Sequence, residues 1–279
     1  MSRSGRTGAV SLRPLGAAAS LRAHLPEYLM EAAALGIFMV SAGACTTLLD
    51  APASPVAALV TSAGARRALV GLAMGGTAMG LIYSPWGKRS GAHMNPAITL
   101  TFLRLGKIPA WDAAYYVLFQ FLGGLAGILL TAAVLGGNLT RPPVNWVVTV
   151  PGPAGPGAAL VGEAIIAFLM MLMIVAVSNR RGAARFTGLL AGILIALFVA
   201  FESPYSGFGM NPARTFASAL PGGTWTALWI YFSVPPVAML LAAQLYVTVR
   251  GGNAVRCCKL HHHSDRACIF CGAKVTPEY

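Results

Sequence analysis

Two copies of the sequence Met-Asn-Pro-Ala, at residues 94–97 and 210–213, lie within stretches that are otherwise apolar enough for lipid. Asn is favoured just before a helix and Pro is favoured at the first helical position, so each copy predicts a helix start. Both helices should be short, because the apolar runs end at residues 104–106 and 221–223. About ten residues with a rise of ~1.5 Å each cover roughly half of a ~30 Å hydrocarbon core. Paired half-membrane helices are typical of inverted-repeat channels and transporters, whose broken helices meet near the membrane midplane.

The composition places the chain in the class of integral membrane proteins. Of the 279 residues, 56% are hydrophobic and 10% are charged, and eight acidic side chains are too few for a globular surface of that size. The net charge of +12 does not require nucleic acid, because the predicted loops account for it. All but four of the twenty Lys and Arg fall on the side of the two chain ends, the exceptions being Arg66, Arg67, Arg141 and Arg214. The positive-inside rule therefore places both ends in the cytoplasm.

The hydrophobic pattern predicts an all-α membrane protein with six transmembrane helices, two re-entrant half helices and an inverted repeat. The membrane domain covers residues 26–250, with a first repeat at about 26–135 and a second at about 158–250. Residues 1–25 are an uncleaved cytoplasmic tail without an assigned fold, and residues 251–279 are a Cys- and His-rich cytoplasmic tail. The predicted spans are residues 26–49, 68–83, 111–135, 158–177, 186–201 and 225–249.

These features carry a family resemblance. The paired Asn-Pro-Ala boxes, with Arg214 directly after the second, resemble those of the aquaporin and glycerol-channel (major intrinsic protein) family over about residues 27–249. The resemblance implies an aquaporin-like channel domain at residues 26–250 and a homotetramer with one pore per subunit in a lipid bilayer. A channel rather than an enzyme also fits the predicted spans, which hold three Glu and one Asp and no cluster of His and carboxylates. The expected location is a plasma membrane or a bacterial-type inner membrane, with no nucleic-acid partner.

The two boxes would form the centre of the pore. In inverted halves the N-termini of the half helices meet and present two positive dipole ends that repel cations. Asn95 and Asn211 can each cap their own helix through the side-chain oxygen while the amide nitrogen donates to a passing water or hydroxyl oxygen. A water held by both donors cannot relay a proton along a file of waters. The half-helix starts are completed by Pro96, Ala97, Pro212 and Ala213.

Two carboxylates occupy matching places in the first and fourth predicted spans. Glu31 and Glu163 are unusual there, because a carboxylate at membrane depth is costly and must find partners. The resemblance implies that both accept hydrogen bonds from the backbone of the half-helix loops. The alternative is a pair of glutamates at the membrane interface that stay hydrated.

The resemblance also implies a selectivity constriction of four residues, placed by their spacing from the boxes. Arg214 would supply fixed donors and a charge that excludes cations. Phe208, shortly before the second box, stands where glycerol-conducting members carry an aromatic, although simple packing is its alternative role. The remaining two positions fall at Val199 and at Gly75, with Met74 as the alternative to Gly75.

The substrate follows less directly from these residues. Gly75 and Val199 are smaller than the Phe and His of strict water channels, which favours small uncharged solutes of the glycerol type as well as water. Thr215 stands where glycerol channels resemble one another in carrying Asp, and Ala219 and the Tyr-Phe pair at 231–232 also follow the water-channel pattern. A strict water channel and a structural membrane protein with a closed pore are therefore the alternatives.

The C-terminal tail holds a separate set of candidate metal ligands. Cys258-x-x-His261 and Cys268-x-x-Cys271 have the close spacing of a tetrahedral zinc site, and a reducing cytoplasm disfavours disulfides. These four residues predict a zinc site, while conduction itself requires no cofactor. An unliganded flexible tail and a thiol redox switch are the alternatives.

Overall fold

The computed structural model describes residues 15–180, 182–262 and 268–272, and the regular structure within these ranges is helical throughout. Single 3-10 turns occur at Asn145–Val147, Ala184–Phe186 and Gly252–Ala254. The α-helices in chain order are α1 (Ala17–Asp50), α2 (Pro55–Leu59), α3 (Ala63–Tyr83), α4 (Pro85–Ser90), α5 (Pro96–Arg104), α6 (Ala110–Leu135), α7 (Gly137–Thr140), α8 (Gly155–Ser178), α9 (Thr187–Phe201), α10 (Ser203–Ser206), α11 (Pro212–Gly222) and α12 (Leu228–Arg250).

The long helices correspond to the predicted spans, and two short helices begin at the two boxes. α1, α3, α6, α8, α9 and α12 match the six spans, while α5 and α11 are the half helices. Five segments of the described chain are long and apolar enough to cross a membrane, namely α1, α6, α8, Ala184–Phe201 and α12. α3 is 21 residues long but carries Arg66 and Arg67 near its start, which lowers its mean hydropathy. The predicted all-α membrane fold is confirmed.

The first helix is longer than predicted. α1 begins at Ala17 rather than at residue 26, so Pro26 lies inside the helix. A proline removes one backbone hydrogen bond from a helix, and two phenol groups anchor the turns around this one. Tyr28 Oη donates to the Ser20 carbonyl at 3.1 Å, and Tyr115 Oη donates to the Ala17 carbonyl at 3.3 Å. The predicted tail therefore ends earlier than residue 25, and its residues 1–14 lie outside the described residues.

Glycines bring the helices of the bundle close together. A Cβ on Gly127 of α6 would collide with the Gly36 carbonyl of α1, and a Cβ on Gly75 of α3 would collide with the Gly192 carbonyl of α9. Small residues permit such close approach between transmembrane helices. α8 pairs with α12, and the half helices α5 and α11 contact α6, α12 and each other. The half helices thus lie inside the bundle.

The interior is well buried and the outer surface is apolar. Tyr28, Phe102 and Tyr116 are fully buried near the half helices, whereas Val134 is 76% exposed and Phe201 is 72% exposed on outer helix faces. Soluble monomers rarely expose large contiguous apolar patches. The protein is therefore an integral membrane protein whose outer helix faces contact lipid.

Both described ends of the chain lie at one end of the bundle. Tyr115 contacts the Ala17 carbonyl, and the ring of Phe270 lies 5.8 Å from that of Tyr116 on the same helix. We call this the tail end of the bundle. The opposite end, which carries the segment 144–152, is the far end.

Candidate channel site

The helix starts at the two boxes are capped by their Asn side chains. Asn95 Oδ1 accepts the N–H of Ala97 at 2.8 Å. Asn211 Oδ1 accepts the N–H groups of Ala213 at 3.1 Å and of Arg214 at 3.2 Å. Pro96 and Pro212 occupy the first helical positions. Each side-chain oxygen is thus used within its own box, as the sequence predicts.

The amide nitrogens join the two boxes to each other. Asn95 Nδ2 donates to the Met210 carbonyl at 2.9 Å, and Asn211 Nδ2 donates to the Met94 carbonyl at 2.6 Å. A primary amide has two N–H groups, so each Asn keeps a second donor for the contents of the pore. The sequence predicts only the donation to solute, since the reciprocal bond joins residues that are far apart in the chain.

A buried carboxylate holds the first half-helix loop. Glu31 Oε1 accepts the Ser90 hydroxyl at 2.7 Å and the His93 N–H at 3.1 Å. Its Oε2 accepts the Met94 N–H at 2.6 Å and the Gln120 amide at 2.9 Å. Glu31 is fully buried, so the arrangement matches a loop-anchoring carboxylate and not a hydrated residue at the interface.

The second loop repeats this arrangement. Glu163 Oε1 accepts the Ser206 hydroxyl at 2.7 Å and the Gly209 N–H at 2.6 Å, and Oε2 accepts the Met210 N–H at 2.6 Å. Glu163 is fully buried as well. The two serines stand at the same distance before the two Asn residues, and aligning the two halves of the sequence on the boxes would have found them.

Each carboxylate stabilises an unfavourable backbone conformation. Met94 and Met210 have φ values of 49° and 52°, and left-handed backbone costs a residue with a side chain roughly 1–2 kcal/mol. Their N–H groups donate to Glu31 and Glu163, while their carbonyls accept from the Asn of the other box. Met94 and Met210 therefore each point their carbonyl at the centre, where the two half helices meet.

A constriction lies at the far end of the bundle. Arg214, which is 9% exposed, lines a far-end cavity together with Met74, Val199 and Phe208. Its Nη1 donates to the hydroxyl of Thr149 in the segment 144–152. The sequence analysis missed Thr149, because that segment carries no motif that ties it to the second box.

The structure corrects one constriction position. Gly75 faces the backbone of α9, where a Cβ would collide with the Gly192 carbonyl. Its neighbour Met74 lines the far-end cavity instead. Successive residues of a helix point about 100° apart, so spacing that is one residue off selects a helix-packing glycine in place of a pore-lining side chain.

A central cavity leads from the constriction towards the tail end. Asn95, Asn211 and Arg214 line it, and most of its other lining residues are apolar. Leu260, from the C-terminal tail, lines this cavity as well. The tail therefore reaches the pore route, which the sequence does not indicate.

The structure also corrects the candidate metal site in the tail. Its grouped ligand atoms belong to Cys257, His262, Cys268 and Cys271 and lie within 4.8 Å of one another. The predicted Cys258 and His261 are not in this group, although the Cys258 thiol is hydrogen-bonded to the Cys257 thiol at its edge. The Cys258 carbonyl accepts His93 Nε2–H at 2.9 Å, and the ring of His261 lies edge-on at 5.1 Å from that of Tyr83. Neighbouring side chains of a non-helical segment point in different directions, so the predicted spacing was one residue off at both places.

The pKa values of the four tail cysteines shift in different directions, and hydrogen bonds with other cysteines of the tail raise the pKa of Cys257 and of Cys271. Hydrogen bonds with Cys257 and Cys271 hold the pKa of the Cys268 thiol well below its usual range. Burial lowers the pKa of His262, but hydrogen bonds with Cys268 and Cys271 outweigh it and raise that pKa to about 9. Burial raises the pKa of the Cys258 thiol. Because metals bind thiolates, Cys268 is the most suitable ligand by its pKa, whereas Cys257, His262 and Cys271 join it by their position.

Fold and site together define the class of protein. Six long helices enclose two half helices whose N-termini meet, whose capping Asn side chains exchange hydrogen bonds, and whose pore route passes Arg214. This is the architecture of an inverted-repeat membrane channel. The family model described as major intrinsic protein matches residues 17–246. The chain belongs to the major intrinsic protein family, and the resemblance identified from the two boxes is confirmed.

Individual relatives agree with this assignment. Aquaporin NIP1-4 of Oryza sativa subsp. japonica is 36% identical over 182 residues, which cover 65% of this chain and 64% of that protein. Aquaporin NIP2-3 of Zea mays is 33% identical over 219 residues, which cover 77% of this chain and 70% of that protein. The chain thus spans less than two thirds of the rice relative. The aquaglyceroporin from Plasmodium falciparum shares the fold, with a TM-score of 0.70, 20% identity, and coverage of 83% of this chain and 98% of that chain.

Proposed function

We propose that the protein is a passive channel that conducts water and small uncharged solutes of glycerol size and excludes protons and other ions. The lining of the far-end constriction carries this proposal. Met74, Val199 and Phe208 supply apolar surface beside the guanidinium of Arg214. A glycerol-like solute has hydroxyl groups along one edge and carbon along the other, so fixed donors beside an apolar wall suit both edges.

Ion exclusion follows from charge and donors at two levels of the pore. At the constriction, Arg214 opposes the entry of cations. At the centre, the N-termini of α5 and α11 present positive dipole ends. The second N–H of Asn95 and of Asn211 can donate to one solute oxygen, and a water held in this way cannot relay a proton.

A strict water channel is the second candidate, because Thr215 and the Tyr231-Phe232 pair follow the water-channel pattern. The contacts of Tyr231 weaken that signal. Its hydroxyl donates to the Ser206 carbonyl at 2.7 Å, so this residue is used in anchoring the second loop. Phe232 packs towards Phe121, with ring centroids 6.2 Å apart. Neither residue is among those that line the two pore cavities, whereas Met74, Val199 and Phe208 are, and we therefore favour the wider channel.

Stopped-flow swelling of proteoliposomes tests the proposal. Purified protein is assayed for water, glycerol and urea in parallel, with a metal chelator present and with an internal dye that reports proton flux. We expect water and glycerol permeability well above that of protein-free liposomes, without proton leak. Passage of water but not of glycerol or urea supports the strict water channel, and passage of neither overturns the channel proposal.

The proposed setting is a homotetramer in a plasma membrane or a bacterial-type inner membrane, with residues 26–250 as the channel domain. The tail end faces the cytoplasm, because basic residues such as Lys88, Arg89 and Arg104 lie in the loops at that end. Exposed apolar helix faces leave surface for neighbouring subunits as well as lipid. Native mass spectrometry tests the tetramer, and protease digestion of sealed vesicles tests the side on which the tail lies.

A further inference from the structure

The C-terminal tail is docked onto the first half-helix loop. Residues 255–262 follow the last 3-10 turn without regular structure, and most of them are buried. The Leu260 N–H donates to the Gly91 carbonyl at 3.1 Å, and the Lys259 ammonium donates to the Lys88 carbonyl at 3.1 Å. His93 Nε2–H donates to the Cys258 carbonyl at 2.9 Å. Three polar contacts thus fix the tail beside the first box.

This docking places an apolar side chain in the pore route. Leu260 is 3% exposed and lines the central cavity, where Ala92, His93 and Ile174 also contribute. A branched apolar side chain at the tail end of this cavity excludes volume and offers water no hydrogen bond. In the docked position the tail therefore obstructs the route between the central Asn pair and the tail end.

The four-residue Cys/His cluster joins parts of the tail that lie on both sides of Leu260 in the sequence. Cys257 and His262 flank Leu260, and Cys268 and Cys271 join them from further along the chain. Cys257 Sγ and Cys268 Sγ lie 3.6 Å apart, and Cys271 Sγ lies 3.3 Å from His262 Nε2. Ligands at about 2.0–2.3 Å from a tetrahedral zinc stand roughly 3.3–3.8 Å apart. The two measured pairs already have this spacing, and the widest pair in the cluster must close by about 1 Å.

The donor chemistry selects the metal. Three thiols and one imidazole form a closed, four-ligand set of the kind that zinc occupies in structural sites, with no open position for catalysis. Soft thiolate donors disfavour magnesium and calcium. Because such ligands are rarely preformed in a free chain, binding of the metal also orders the segment that carries them.

We propose that Zn²⁺ binds at Cys257, His262, Cys268 and Cys271 and thereby holds Leu260 in the tail end of the pore, so that zinc closes the channel. Phe270, which lies between the last two ligands, contacts the ring of Tyr116, and the Tyr116 hydroxyl donates to the Ser90 carbonyl of the first loop. One end of the zinc-bound segment therefore contacts the loop that carries Asn95 through Gly91, and the other end contacts Tyr116, which is hydrogen-bonded to that loop. Without zinc, residues 255–262 lose their cross-link to Cys268 and Cys271, and Leu260 leaves the pore. The closure, though not the zinc site itself, rests on the proposed channel function.

The metal site is tested first on the full-length protein, purified under reducing conditions. We expect about one zinc per chain by elemental analysis, and substitution by Co²⁺ should give the absorption of a tetrahedral thiolate complex. The double variant Cys257→Ser/Cys268→Ser should lose both signals. Cys258→Ser and Cys45→Ser are matched controls that should retain them. Absence of zinc from the parent, or loss of zinc from Cys258→Ser with retention in the double variant, would overturn the site.

Closure is tested by swelling of the same proteoliposomes with zinc or with a membrane-permeant chelator. Chelation should raise the water permeability of the parent several-fold, and the double variant should conduct at the chelated level in either buffer. Leu260→Ala should retain zinc but lose most of the zinc inhibition.

Equal zinc inhibition of the parent and the double variant, or equal permeability of the parent in both buffers, contradicts the closure. Inhibition by an oxidant but not by zinc would assign the cysteines to a redox switch and also overturn it. If the chelated parent and the double variant both conduct nothing although the parent binds zinc before chelation, the channel function fails and not the metal site.

Discussion

The two half-helix loops are alike on the inside of the bundle and different on the outside. On the inside, each has a fully buried Glu that accepts the N–H of the Met before the Asn. Each also has a Tyr that donates to a Ser carbonyl, Tyr116 to Ser90 at 2.6 Å and Tyr231 to Ser206 at 2.7 Å. The repeated part of the sequence therefore encodes the scaffold that aims the two boxes at each other.

The segments that pack over the outer sides of the two loops differ in sequence and in contacts. The segment 144–152 covers the second loop, where Gly152 N–H donates to the Tyr205 carbonyl at 2.9 Å and Thr149 accepts from Arg214. The C-terminal tail covers the first loop and inserts Leu260 into the pore route. The inner scaffold orients the two boxes, whereas the proposed selectivity and the proposed closure both depend on the segments that cover the loops.

The largest effect is expected from the carboxylates. Glu163→Gln keeps one acceptor oxygen for Ser206 and Gly209 but replaces the other by an amide NH2 that cannot accept from Met210. A buried donor left without a partner costs about 1–3 kcal/mol. Glu31→Gln should cost about as much if the two scaffolds are equivalent. Thermal unfolding and folded yield in detergent measure both variants, with Asp50→Asn, a partly exposed carboxylate at the end of α1, as the control. A loss confined to one variant would show that only one loop depends on its carboxylate.

The Asn residues should give the next largest effect, on conduction more than on folding. Asn95→Asp and Asn211→Asp keep the helix cap but lose the donor to the Met carbonyl of the other box and place negative charge under a positive field. We expect lower solute flux or a cation leak in both variants. Swelling and dye-based leak assays measure this outcome. Variants that reach the membrane and conduct like the parent without leak would refute the proposed function of the amides.

The width of the constriction should respond more selectively. Met74→Phe with Val199→His adds bulk on the far-end cavity, so glycerol and urea passage should fall much more than water passage. Gly75→Phe is the informative contrast, because its side chain would collide with α9 and should impair folding. Equal loss of water and glycerol in a folded double variant, or a normally folded Gly75→Phe channel, would place the constriction elsewhere.

Local patterns explain what the sequence predicted correctly. The two boxes, Glu31 and Glu163 were recognisable because a cap, a proline or a carboxylate inside an apolar segment has few structural roles in a membrane. The six spans followed from hydropathy, and their ends differed by a few residues where tertiary contacts act, as at Pro26, which lies within α1.

The remaining features depend on contacts that no local pattern reports. Met74 and Gly75 are adjacent and lie on different faces of α3, and their spacing from the first box alone does not show which of them faces the pore. The metal set moved from Cys258 to Cys257 because the tail has no helical or strand period to fix its side-chain directions. The position of Leu260 in the pore depends on its bond to Gly91, a contact between segments with no shared motif.

The smallest expected effect compares the two tyrosine anchors directly. Tyr116→Phe and Tyr231→Phe each keep the ring and remove one hydroxyl donor to a buried carbonyl, so each should lower the free energy of unfolding by about 1 kcal/mol. Thermal unfolding of each variant, measured with chelator and with zinc, checks this value. Without zinc the two losses should be equal, because the inner scaffolds match. With zinc the loss in Tyr116→Phe should shrink, since the docked tail holds the first loop through Gly91, whereas Ser206 lies in the loop at the far end of the bundle. Unequal losses in chelator would show that the two loops are not equivalent even where their hydrogen bonds are the same.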